Sequence, residues 1–313
     1  MKHKIIIGSR GSELALWQAN FVKKELEKRN KNVSVMTQII KTKGDEILDV
    51  ALSKIGDRSL FTKELEIELL NKKIDLAVHS LKDLQTEIPR GLKLAAVTKR
   101  HSVQDVLITR KKGTTIFNLH EGATVATGSL RRKCQLLHIR PDLKITELRG
   151  NVPTRIKKFL ESDWDAIILA RAGVERLKLN KYISSIIKTD VMLPAVGQGA
   201  LGIETRADNK IVNKIVQSIH HENTYKAVLA ERALLKTLEG GCQVPIGAFA
   251  EVKTNGLFLD AIVGSLDGGL TFRKKMRGSK NNPEKLGKSL ARDLLKAGAK
   301  LILQEIYKTA RAK

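Results

Sequence analysis

Through roughly its first two thirds this chain alternates short apolar runs with amphipathic segments, and that alternation restricts the fold more than any other feature. Lys4–Ile7 reads as a strand. Ser12 is placed to cap the helix after it, whose apolar face is Leu14, Trp17, Phe21, Val22 and Leu26. Val33–Ile39 is the next strand, Thr62–Asn71 a helix, and Asp75–His79 and Leu92–Val97 two further strands. A β-α-β order of this kind predicts a mostly parallel sheet covered by helices. Near Lys99–Gln104 a second set begins, with strands Val106–Thr109, Thr124–Thr127, Lys144–Leu148 and Ala166–Leu169 and helices from Ser129 and over Val152–Leu160. The Pro- and Gly-bearing stretch Leu193–Ala200 then leads into strand Leu201–Thr205, read as a return to the first set. Two lobes joined by two crossings make a hinged clamp, a shape that commonly holds ligands.

The last third has a different pattern. Ala248–Lys253, Leu257–Ser265 and Leu270–Arg277 read as an antiparallel meander with turns at Asn255-Gly256 and Asp267-Gly268-Gly269. Helices are expected over Thr224–Thr237, Glu284–Ala297 and Ala299–Tyr307. The fold class is therefore α/β, with two lobes (1–99 plus 195–220, and 100–194) and a third, small α+β domain (221–313).

Composition narrows the partners. A net charge of +24 raises the prospect of nucleic acid, but the lysines recur on nearly every helix, as at Lys23-Lys24, Lys157-Lys158 and Lys274-Lys275, and form no single block. Aromatics are 4%, too few for stacking platforms. The same field attracts anionic small molecules. No apolar run reaches membrane-spanning length, and the apolar stretch near Met1 is too short for a signal segment. Two cysteines make no disulfide framework, so a reducing, cytoplasmic location is expected.

Arginines stand at the strand-to-helix turns. Arg10 lies in Gly8-Ser9-Arg10-Gly11-Ser12, Arg131 and Arg132 follow Thr127-Gly128-Ser129-Leu130, and Arg149 and Arg155 bracket Gly150-Asn151-Val152-Pro153-Thr154. In an open parallel sheet such turns gather at the carboxyl ends of the strands, where helix N-termini also offer N–H groups to anions. Any one of these arginines is ordinarily a solvated surface residue; five at equivalent positions describe a cradle for a polyanion. Asp83, in Val78-His79-Ser80-Leu81-Lys82-Asp83, is a carboxylate at the rim of that basic region, suited to stabilising a cation. Its commonplace reading is a helix cap or an ion pair. His79 and His220-His221 lack metal-ligand spacing, so no metal is expected. Cys242, in Leu238-Glu239-Gly240-Gly241-Cys242-Gln243-Val244-Pro245, follows two glycines and precedes a proline. That places a thiol on a bent loop with room beside it, as covalent attachment requires, although a lone cysteine is more often simply buried.

Taken in order, these motifs resemble the porphobilinogen deaminase (hydroxymethylbilane synthase) family: Ile7–Ser12, Ala77–Asp83, Ser129–Arg132, Leu148–Val152, Leu193–Ala200 and Gly240–Pro245. The resemblance implies two periplasmic-binding-protein-like lobes and a third domain carrying a dipyrromethane cofactor as a thioether on Cys242. It implies stepwise deaminating condensation of four porphobilinogen units onto that primer, through azafulvene electrophiles, and hydrolytic release of hydroxymethylbilane in tetrapyrrole (haem) biosynthesis. By the same match Asp83 is the catalytic carboxylate, and Ser129, Arg131, Arg132, Lys82 and Asp83 join Cys242 in binding the cofactor. Arg10, Ser12, Gln18, Arg149, Arg155 and Arg176 would bind substrate, and Arg58 belongs to the active-site loop. A monomer without nucleic-acid or membrane partners is implied as well. Four places depart from the family pattern: Gly56-Asp57-Arg58-Ser59 is less glycine-rich than usual, Leu84-Gln85 replaces a more usual Val-Pro, Pro153 replaces a common glycine, and Arg171 adds charge near Arg176.

Overall fold

The structure, a computed structural model, describes residues 3–42, 62–238 and 244–311. The chain opens with β1 (His3–Ser9), α1 (Glu13–Arg29), β2 (Val33–Ile39), α2 (Lys63–Leu70), β3 (Leu76–Ser80) and β4 (Leu92–Val97). A second series follows: β5 (Asp105–Thr109), β6 (Thr124–Ala126), α3 (Leu130–Ile139), β7 (Lys144–Thr146), α4 (Val152–Leu160), β8 (Ala166–Ala170), α5 (Arg171–Arg176) and β9 (Ser185–Ile187). Then come β10 (Leu201–Arg206), α6 (Lys210–Val216) and α7 (Glu222–Thr237). The last third holds β11 (Ile246–Lys253), β12 (Gly256–Gly264), β13 (Thr271–Gly278), α8 (Pro283–Leu294) and α9 (Lys300–Arg311). No helix among the described residues is long and apolar enough to cross a membrane.

The described residues separate into two compact units, one holding 3–42, 62–101 and 199–225, the other 102–198, 226–238 and 244–311. The first unit has one sheet in the order β2-β1-β3-β10-β4. β1 runs parallel to β2 and β3, while β10 is antiparallel to both β3 and β4. The apolar face of α1 (Ala19, Val22, Leu26) packs with Ile5, Ile7, Val35, Leu76 and Ile203. The central strands are buried on both faces, and β3 and β10 accordingly open on Leu76-Ala77-Val78 and Leu201-Gly202-Ile203.

The second unit contains a sheet in the order β7-β6-β8-β5-β9, with β6 parallel to β7 and β8 and with β5 antiparallel to β8 and β9. The two five-stranded sheets thus share one plan. In each, the reversed strand is the first one the chain makes on entering that unit from the other. The α/β reading holds, although the β-α-β pattern did not show the reversed strands. β9 also went unread, because an edge strand of three residues has no periodicity to detect.

The meander β11-β12-β13 is antiparallel throughout. Leu257, Leu259, Ala261 and Val263 of β12 alternate onto one face and pack with Leu286, Leu290 and Leu294 of α8. Gly287 lets α8 approach α7 closely: a Cβ there would lie 2.2 Å from the Ala230 carbonyl oxygen and 2.8 Å from the Leu234 nitrogen. Backbone cannot yield as a side-chain end can. Gly287→Ala is therefore expected to destabilise this region by about 1–3 kcal/mol or more. A lower urea midpoint with unchanged far-UV circular dichroism is the result to look for.

Candidate functional site

In the first unit β1 delivers Arg10 to the turn before α1, and Ser12 caps that helix by accepting from the Ala15 N–H at 3.4 Å. Gln18, on the buried side of α1, donates from Nε2 to Ser80 Oγ at 2.7 Å. Ser80 closes β3, and the chain continues into a single 3-10 turn over Leu81–Asp83. Leu81 is buried and its N–H donates to the Ala200 carbonyl at 3.1 Å, which pins the turn. Lys82 is left half-buried and Asp83 exposed. Among the described residues Asp83 makes no hydrogen bond and no ion pair, so it is neither the cap nor the paired acid of the commonplace reading.

A cavity of ≈ 70 Å³ brings Arg10, Ser12, Gln18, His79, Ser80 and Asp83 together. A whole small-molecule site usually offers about 300–1,000 Å³, so this is a subsite. His79 was weighed only as a metal ligand. Its Nε2 instead lies 2.9 Å from Glu204 Oε2. Among the described residues no cluster of His, Cys, Asp or Glu is arranged to hold a metal ion.

In the second unit the cluster is built on the start of α3. Ser129 occupies the cap position, yet its hydroxyl makes no hydrogen bond among the described residues. Arg131 and Arg132 are buried, and both face Asp105, whose side chain is wholly buried at the start of β5. Arg132 Nη2 donates to Asp105 Oδ1 at 2.8 Å, and Arg131 Nη1 stands 2.9 Å from Oδ2. Burial pushes the Asp105 carboxyl up, but the two guanidinium ions outweigh that and hold it well below the usual carboxylate range. Gln198 Nε2 also donates to Asp105 Oδ1, at 3.0 Å, and to the Val103 carbonyl, at 2.7 Å. Leu193 is fixed to the same helix, its carbonyl accepting from Arg131 Nη1 at 2.7 Å and its N–H donating to Gln135 Oε1 at 2.8 Å.

Arg149 follows β7 and is half-buried. Gly150 turns the chain with φ 115°, where a Cβ would also strike Thr154 at 2.8 Å, so this corner admits glycine alone. Asn151 then caps α4, accepting from the Thr154 N–H at 2.9 Å, and Pro153 sits in the first turn, where its missing N–H costs nothing. Arg155 Nε returns to the Gly150 carbonyl at 2.7 Å. Arg176 ends α5, buried, and burial lowers its guanidinium to about 10, which leaves it charged at neutral pH. Arg171 does not add net charge beside it: Arg171 Nε is paired with Glu175 Oε1 at 2.7 Å.

Several donors in this unit are buried without a hydrogen-bond partner among the described residues: Arg149 Nη1, Arg131 Nε and Arg132 Nε. An unmade buried hydrogen bond costs about 1–3 kcal/mol, more for a charged group. Every one of these is an N–H on a cation, and with the Ser129 hydroxyl and the α3 N-terminus they suit a ligand that brings carboxylate oxygens. Asp105, which cancels one of the two guanidinium charges on α3, is the group the sequence reading missed. Its only signal was an acid abutting the apolar run Val106–Ile108.

Cys242 and the Gly56–Leu60 loop with Arg58 lie outside the described residues. The loop that carries Cys242 is bracketed by Leu238 and Val244, both buried in one apolar cluster.

Two family models match. One, "Porphobilinogen deaminase, dipyromethane cofactor binding domain", covers residues 5–214, and the other, "Porphobilinogen deaminase, C-terminal domain", covers residues 225–296. The chain belongs to the porphobilinogen deaminase family. A porphobilinogen deaminase of Carboxydothermus hydrogenoformans is 52% identical over 310 residues, 99% of either chain. One of Chlorobium phaeobacteroides is 51% identical over 313 residues, 99% of this chain and 100% of the relative. A solved methionine-binding protein, MetQ, is 16% identical, covers 71% of this chain and 92% of its own, and superposes with a TM-score of 0.44. The chain is thus a transferase of tetrapyrrole biosynthesis that makes hydroxymethylbilane from porphobilinogen and works with a dipyrromethane cofactor. The donors of the second unit fit that cofactor, an acidic oligopyrrole whose arms are carboxylates.

Proposed function

We propose that Cys242 carries the dipyrromethane as a thioether, that Ser129, Arg131, Arg132, Lys82 and Asp83 bind it, and that Asp83 is also the catalytic carboxylate. When bound, the cofactor supplies the nucleophilic α-carbon to which four porphobilinogen units are added in turn. Arg10, Ser12 and Gln18 line the cavity that Asp83 borders and are suited to grip the acetate and propionate of an incoming pyrrole. Arg149, Arg155 and Arg176 add positive charge to the same task, and Arg58 does so from the active-site loop. The observation that carries the reading is Asp83 itself. It is an exposed carboxylate with no partner among the described residues, on a pinned turn beside Arg10. Such a group keeps its full negative charge for a cation formed when ammonia leaves the substrate.

Three domains, 1–99 plus 195–220, 100–194 and 221–313, agree with three separate sheets, although the second and third cluster as one unit. A cytoplasmic monomer that binds no nucleic acid agrees with the dispersed lysines and the absence of a disulfide pattern. The deciding experiment is the intact mass of freshly purified protein. An excess equal to two linked pyrroles is expected, and it should vanish in Cys242→Ser. An unmodified wild-type chain that still makes hydroxymethylbilane would overturn the assignment.

A further inference from the structure

The sheet of the first unit carries an ionisable pair among apolar neighbours. His79 and Glu204 have side chains only 4% and 0% exposed, and meet at 2.9 Å. Their strands run antiparallel with His79 opposite Gly202 and Glu204 opposite Ala77, so the pair reaches diagonally across the ladder. Ala77 shares their face of the sheet and Leu65 lines the same cavity as His79, and both are buried hydrocarbon. Placing two ionisable groups there costs several kcal/mol of desolvation that an apolar pair of equal size would avoid. The hydrogen bonding does not compensate in full, because Glu204 Oε1 is buried with no hydrogen-bond partner among the described residues. Packing gives no account of this pair, and its position does: His79 lines the same cavity as Asp83.

With Glu204 ionised, as the counter-ion role below requires, the ring nitrogen facing it, Nε2, carries the proton. Nδ1 is then a bare acceptor, and it makes no hydrogen bond among the described residues. The condensation needs such a group. The new C–C bond joins the aminomethyl carbon of the incoming pyrrole to the free α-carbon of the chain being extended. The C–N bond breaks with both electrons going to nitrogen, which enters as ammonium and leaves as ammonia. One proton is released from the attacked α-carbon. If a second group takes it, Asp83 stays ionised for the cation formed from the next unit. We propose that His79 Nδ1 accepts this proton, with Glu204 as the counter-ion of the imidazolium, and that ammonia then carries the proton away as ammonium. This division of labour between two groups in one cavity rests on the reading of that cavity as the reaction site.

His79→Gln separates the two ring nitrogens. Its amide N–H takes roughly the place of Nε2, so Glu204 keeps a donor, and nothing replaces Nδ1. The variant is expected to keep its cofactor mass, its urea midpoint and a KM within about twofold, while kcat falls about 100-fold. A second readout needs no turnover: long-range 1H–15N spectra of the resting protein, with His79 identified by its loss in the variant, should show Nε2 protonated and Nδ1 bare. Wild-type kcat in His79→Gln, or a ring protonated at Nδ1, overturns the proposal. If His79→Gln does not fold, Glu204→Gln carries the test. It should lower kcat by about tenfold or more, and an unchanged kcat is the contrary result. A wild-type protein without the two-pyrrole mass would sink the site assignment instead. A loaded, active wild type with an equally active His79→Gln sinks this inference alone.

Discussion

Asp83→Ala should fold as the wild type does and lose turnover by about 10²–10³-fold. The two halves of that expectation have separate grounds. Asp83 is exposed and has no hydrogen-bond or ion-pair partner among the described residues, so removing it breaks nothing that holds the fold. Substitutions of that kind usually stay within about ±0.5 kcal/mol. The loss in rate follows from charge. A fixed carboxylate beside a forming cation does work that a methyl group cannot do, in a cavity whose other nearby ion, Arg10, is also positive. Asp83→Asn separates charge from shape, since the amide keeps the size and loses the negative charge; it should resemble Asp83→Ala in kcat. Turnover is read from porphyrin formed after oxidation of the product, and stability from urea denaturation. A wild-type rate in Asp83→Ala would remove Asp83 from the chemistry.

Asp105→Asn should cost about 3–5 kcal/mol of stability, the largest loss expected of any single change described here. The wild-type pair costs desolvation, but taking away the carboxylate leaves Arg131 and Arg132 buried without the acid they share. The effect has a pH signature. The folded-state pKa of Asp105 is depressed, with burial opposing and the two guanidinium ions prevailing. Its contribution is therefore fully present above the unfolded value of about 3.9 and drains away as pH falls below that toward the depressed value. Asp142, held at about 2 by Arg140, loses its ion pair over the same range, so the acid limb of the wild type is a sum. The difference between wild type and Asp105→Asn isolates the Asp105 share: it should be flat near neutrality and shrink below about pH 4. Urea midpoints measured across that range decide it. A pH-independent difference would mean the triad is not ionised as described.

Reading the residues in order recovered most of what is local. α4 was expected over Val152–Leu160 and β4 over Leu92–Val97, and both are found there. Asn151, Pro153 and the 3.6-residue spacing of apolar side chains act within a few residues of one another. The turn positions of Arg10, Ser129 and Arg149 were legible for the same reason. What escaped was long-range. Asp105 meets Arg132 across 27 positions, and His79 meets Glu204 across 125. No window of sequence contains either pair. Each acid adjoins an apolar strand, and only the strand order brings its partner to it.

The sequence by itself determined the kind of molecule: alternating elements that must bury one face, turns that must gather cations, and a Gly-Gly-Cys loop, which together point to a polyanion and to covalent chemistry. The tertiary structure alone decided how those charges are spent. Arg131 and Arg132 share Asp105, Arg171 is paired with Glu175, Arg149 keeps a buried donor without a partner among the described residues, and Asp83 pairs with none of them. The physical reason is that the worth of a charge depends on burial and on distance to other charges, and both are set by segments far apart in the chain.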